Sequence, residues 1–207
     1  MYIPKHFKVT DLDEIQEFIH TNSFGTLITT KNGKPIATHL PLQLVRSDNA
    51  FFITGHMAYG NSQWRTFETC EDVLVTFQGP HAYISSSWYE KENVPTWNYQ
   101  SVHLYGAAKL LNEAELKADL TKLMQKYEAH REHPVLWETL SPSMLEKELK
   151  GIVGFKIQVT EVQATYKISQ NRTETDYRNI IDQLHKENNT DSSKMADVME
   201  KKIKKSL

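Results

Sequence analysis

FGTLITTKNGKPIATHLPLQLV, residues 24–45, is the stretch on which the fold turns. Two runs rich in β-branched residues flank Lys31-Asn32-Gly33-Lys34. An Asn-Gly pair between such runs is the strongest short-range signal for a tight hairpin, because both positions must reach positive φ. The stretch therefore predicts two antiparallel strands. Working outward, AFFITG (50–55) reads as a third strand and DVLVTFQG (72–79) as a fourth. AYISSSW (82–88) and SVHLYGAAKLL (101–111) add two more, and IVGFKIQVTEVQATYKI (152–168) supplies one or two.

Helical signals fall between and after these strands. Thr10 followed by DLDEIQEFIHTN predicts a capped helix over about 11–22, with Ile15, Phe18 and Ile19 on one face. A short helix starts near Asn61. NEAELKADLTKLMQKYEAHR (112–131) carries Leu116, Leu120, Leu123, Met124 and Tyr127 at helical spacing. SPSMLEKEL (141–149) opens with Ser-Pro, and TETDYRNIIDQLHKE (173–187) and SSKMADVMEKKIKK (192–205) are helical around a polar, Asn-rich linker. Hairpin-linked strands without regular strand–helix alternation predict an α+β fold around an antiparallel barrel. A barrel domain with inserted helices is expected over 1–170 and C-terminal helices over 171–207.

Composition bounds the function. The 207 residues are 39% hydrophobic and 24% charged, with a net charge of −2 and a pI near 6.5. That balance suits a folded globular chain and offers no overall attraction to nucleic acid. The basic stretch KMADVMEKKIKKSL (194–207) reads as a solvated helix end. No signal peptide or membrane span is evident, and the single cysteine, Cys70, fits a reducing compartment, so a cytoplasmic location is expected.

Candidate chemistry is sparse. His130 and His133 form an H-x-x-H pair with no third ligand nearby, and Cys70 reads as a small buried hydrophobe. The Ser85-Ser86-Ser87 run lacks a nucleophile elbow. No catalytic residue and no metal site is assigned. ATHLPL (37–42) and TGHMAYGNSQW (54–64) each place a Thr and a His in an apolar strand. Buried polar groups need partners, so these either satisfy each other or meet a ligand. Asn61 and Ser62 could cap a helix or leave backbone donors for a phosphate; Lys167, Gln170, Asn171 and Arg172 gather before a helix, where Arg172 would suit a phosphate or carboxylate. GPHAYISSSWYEKENVPTWNYQSVHLYG (79–106) holds six Tyr and Trp side chains, more than a core requires.

MYIPKHF, ATHLPL, GHMAYGNSQW, FQGPHAYISSSWY, VPTWNYQSVHLYG, GIVGFK and KISQNR, in that order, resemble the PaiB-type negative transcriptional regulators over nearly the whole chain. The resemblance implies an FMN-binding split β-barrel forming a homodimer, with flavin sites built from both chains. It implies Thr38, His39, Leu40 and Pro41 beside the flavin ring, and His56, Asn61 and Gln63 near the ribityl phosphate. Trp97, Asn98 and Tyr99 would close the pocket, and Lys167, Gln170, Asn171 and Arg172 would give polar contacts at its edge. Tyr59, where relatives often carry Arg, and Ser86, where they often carry Pro, depart from the pattern and would weaken the hold on FMN.

The implied function is repression of degradative-enzyme and sporulation genes. DNA follows from the resemblance alone, since no helix-turn-helix or basic recognition helix is visible. The alternatives are a flavin-dependent oxidoreductase of small molecules, for which no base is evident, and a flavin or haem sensor without catalysis, in which His39, His56, His81 or His103 could serve a haem.

Overall fold

The computed structural model describes residues 1–47 and 50–206, with side chains to residue 203. The last basic residues of 194–207 thus lie outside the described side chains. The chain forms strands β1 (Lys8–Val9), β2 (Phe24–Lys31), β3 (Lys34–Pro41), β4 (Gln43–Ser47), β5 (Ala50–Ala58), β6 (Val73–Ile84), β7 (Thr96–Leu110) and β8 (Ile152–Lys167). Its α-helices are α1 (Leu12–Thr21), α2 (Glu113–Glu128), α3 (Pro142–Leu149), α4 (Glu174–Lys186) and α5 (Thr190–Ser206). The strands follow the order β3-β2-β6-β7-β8-β5-β4, with β1 on β8. This is the expected α+β architecture.

The hairpin forms as its turn demands. Asn32 and Gly33 sit at φ 52° and 77°, and β2 pairs with β3 from Lys31↔Lys34 to Phe24↔Pro41. The second run does not continue unbroken. It breaks at Leu42, whose N–H donates to Ser23 O at 2.8 Å, and β4 then pairs with β5 from Gln43↔Thr54. Two other strands are longer than expected: β6 runs straight through Gly79-Pro80, and β7 begins at Thr96 rather than Ser101, taking in Trp97 and Tyr99. Side-chain alternation in and out of the sheet is what a strand supplies and a loop does not.

The chain divides into two compact units. One comprises Met1–Phe18, Gln78–Val102 and Gln163–Leu207. Its apolar interior includes Ile15, Ile84, Tyr166, Ile168, Ile180, Leu184, Met195 and Met199. There the α4–α5 hairpin is tied by Tyr177, whose hydroxyl donates to Met199 O at 3.2 Å. The other unit comprises Ile19–Phe77 and His103–Val162. Its interior holds Leu27, Leu42, Ile53, Met57, Val75, Phe77, Leu104, Phe155 and Ile157, with Leu116 of α2 also buried. α2 starts in a capping box, Asn112 and Glu115 each bonding the other's backbone N–H at 2.9 Å.

Candidate functional site

The polar strand residues of the Ile19–Phe77 segment largely satisfy one another. Asn61 Nδ2 donates to Thr38 Oγ1 at 2.9 Å, and Thr38 Oγ1 donates to Gln63 Oε1. Gln63 is only 2% exposed, and its amide nitrogen donates to Leu27 O at 3.1 Å and Ile36 O at 3.3 Å. Both its amide hydrogens are therefore taken. Asn61 caps a one-turn 3-10 helix, Ser62–Thr66, its Oδ1 accepting from Gln63 N–H at 3.0 Å. Neighbouring positions on β3 part company. Leu40 is buried, Pro41 half-buried, and His39 is exposed with its ring stacked on exposed Phe24 at 6.4 Å.

His56 lies in the field of a carboxylate that the sequence reading missed. Asp119 of α2, 7% exposed, accepts from Thr54 Oγ1 at 2.5 Å and from Gln43 Nε2 at 3.1 Å. Its second oxygen and His56 Nδ1 are both buried without a hydrogen-bond partner among the described residues. Burial raises the Asp119 pKa, opposed by the Thr54 bond and then by His56 and Lys122. Burial lowers that of His56, opposed by the Asp119 charge. The available signal was a carboxylate three positions after Leu116, on the apolar face of the helix.

In the other unit, Trp97 and Asn98 point to opposite faces of β7. Trp97 is exposed, its ring 5.8 Å from His81 and 6.0 Å from Tyr83. Asn98 is wholly buried, exchanging hydrogen bonds of 2.9 and 3.0 Å with Ser169 and donating to Met199 S at 3.5 Å. Tyr99 is half-buried. Gln170 closes its own turn, accepting from Ile168 N–H at 2.8 Å and donating to Tyr166 O at 2.6 Å and His6 O at 3.3 Å. Asn171 is exposed.

Lys167 and Arg172 are two cations of this unit whose charges act on each other. Lys167 Nζ donates to Thr96 Oγ1, and Arg172 lies 4.7 Å from the ring centre of Tyr89. The Lys167 pKa is lowered by burial and then by the charge of Arg172. Neither forms an ion pair with a carboxylate among the described residues.

Residues 1–161 match the family model described as "Putative FMN-binding domain". The chain belongs to this FMN-binding family. It is 64% identical to "Protease synthase and sporulation protein PAI 2" of Bacillus subtilis (strain 168) over 207 residues, all of both chains. Among solved structures it resembles the flavocytochrome Anf3 from Azotobacter vinelandii, with TM-score 0.62 and 17% identity over 86% of this chain and 78% of that one. It also resembles the FAD and heme binding protein from Mycobacterium smegmatis, with TM-score 0.57 and 13% identity over 77% and 73% of the two chains. At such identities the likeness is one of fold, the split barrel.

An FMN-binding family member must meet a phosphate with donors and positive charge. Lys167 and Arg172 offer donors and charge of that kind, and neither is in an ion pair among the described residues. They lie beyond the matched residues 1–161 and within the full-length match to the B. subtilis relative. Of the two departures from pattern, Tyr59 is exposed and packs its ring 5.7 Å from Trp64. Ser86 is exposed at the start of a short 3-10 turn.

Proposed function

We propose that this chain binds FMN through its phosphate at Lys167 and Arg172, associates as a homodimer, and restrains the expression of degradative-enzyme and sporulation genes. The observation that carries the first part is that the Arg172 charge bears on Lys167 while neither cation is in an ion pair with a carboxylate among the described residues. Two like charges held together are costly unless an anion offsets them, and a phosphate dianion accepts charge-assisted bonds from both. When bound, FMN would supply a planar redox-active ring, while the protein supplies binding and orientation. Lys167, oriented by Thr96, and Arg172, braced on Tyr89, would fix the phosphate end.

Binding follows from flavin titrations of the full chain. FMN is expected to bind more tightly than riboflavin, which has the same ring and no phosphate. Lys167→Met with Arg172→Ala should weaken FMN at least about tenfold, the loss of one charge-assisted bond, and leave riboflavin unchanged. Equal affinities for the two flavins, or no binding of either, would overturn the assignment.

The regulatory part rests on the name of the B. subtilis relative, which ties that protein to protease synthesis and sporulation. Deleting the gene should raise secreted protease activity, and an unchanged level would refute restraint. A net charge of −2 argues that the effect reaches DNA indirectly. Pure protein should leave promoter fragments unretarded at about 0.15 M salt, where counterion release favours only proteins with many cationic contacts.

A further inference from the structure

We propose that the α4–α5 hairpin binds one divalent first-row transition metal ion, zinc foremost, through His185, Asp197 and Glu200. One ligand atom from each lies within 4.8 Å of the others, with His185 Nε2 3.0 Å from Glu200 Oε1. Ligands about 2.0–2.2 Å from a tetrahedral zinc stand roughly 3.4 Å apart, so the His185–Glu200 pair, at 3.0 Å, has to open by about 0.4 Å to admit the ion. Asp197, whose carboxylate lies within 4.8 Å of both, has to move inward to complete the set.

The scaffold suits the task. Asp197 and Glu200 are three residues apart on α5, hence on one face, and His185 reaches them from the last turn of α4. Below them Ile181, Leu184, Met195, Ala196 and Met199 are buried, which fixes the two helices against each other. The plain alternative is an exposed His–Glu pair, worth little by itself. It does not account for the second carboxylate. Two carboxylates converging on one imidazole repel each other, and no Lys or Arg among the described residues forms an ion pair with either. One nitrogen and two oxygens form a donor set that zinc, nickel and cobalt accept, with water completing the coordination. Ligation uses the Nε2 lone pair of the neutral imidazole, whose one N–H is then carried on Nδ1. His130 and His133 are both exposed and belong to no such cluster among the described residues.

The test uses the full chain, stripped with chelator and titrated with Zn²⁺ by calorimetry and with Co²⁺ by visible absorbance. One ion per chain is expected. His185→Ala and Asp197→Asn should each weaken binding at least tenfold, and His130→Ala with His133→Ala should leave it unchanged. Zinc should raise the melting temperature of the wild type and not of His185→Ala. All three groups are partly or largely exposed, so the apo variants should melt as the wild type does, which separates lost ligation from lost folding. No saturable binding, full affinity in His185→Ala, or loss in the His130/His133 variant instead would each overturn the proposal.

Discussion

Gln63 shows how a residue that looks ligand-facing in sequence becomes structural in three dimensions. Its amide is spent on Leu27 O, Ile36 O and Thr38, joining the 3-10 turn to the β2–β3 hairpin. Gln63→Leu keeps much of the volume and removes all three bonds, so it should cost about 2–4 kcal/mol in urea unfolding. His56 and Asp119 make a pH argument with opposite signs. Burial lowers the His56 pKa in the folded state, so stability is present above the unfolded value of 6.5 and lost as pH falls from there through the folded pKa. Burial raises the Asp119 pKa, so the folded state holds its proton longer and a cost appears as pH rises from 3.8 through the folded pKa. In melts across pH, His56→Gln should flatten part of the loss below pH 6.5, to which His103, also lowered by burial, contributes as well. Asp119→Asn should gain on the wild type as pH rises above 3.8. A His56→Gln profile parallel to the wild type would refute the first assignment. Its place on the apolar face of α2 was the one sequence signal for Asp119, and a weak one, because a carboxylate among helical leucines is ordinarily solvated and only the packed strands bury it.

At the scale of elements, the sequence was most readable where local chemistry decides. The Asn32-Gly33 turn and the leucine-spaced α2 follow from φ preference and from periodicity, both local properties. It was least readable where pairing decides. Nothing local in GPHAYI says that β6 continues through Pro80, and the start of β7 at Thr96 rather than Ser101 depends on neighbours supplied by distant chain. Gly106 marks that dependence. A Cβ there would lie 2.0 Å from Gln158 O, a backbone atom of β8 that cannot rotate aside. Gly106→Ala should therefore force β7 from β8 and cost about 3 kcal/mol or more, lowering the urea midpoint or abolishing soluble expression. A midpoint within error of the wild type would show that the strands can part without penalty.

For the whole molecule, charge and exposed surface point to different partners. A chain with net charge −2 has little general use for nucleic acid, and among the described residues no helix is long and apolar enough to cross a membrane. The surface feature left to explain is aromatic. Trp97 and Tyr83, 52% and 45% exposed, pack against each other on adjacent strands β7 and β6, with His81 alongside. Large amphipathic rings kept at a surface are characteristic of subunit interfaces, where they bury much area at small entropic cost. A second copy of the chain is the partner expected there. Light scattering at micromolar concentration should therefore return twice the chain mass of 24.0 kDa. Trp97→Ser with Tyr83→Ser should shift the species toward 24.0 kDa while leaving the melting of the monomer unchanged, because both side chains lie outside the core. A wild type already at 24.0 kDa would remove the dimer altogether, and a double variant still at twice that mass would move the interface away from these rings.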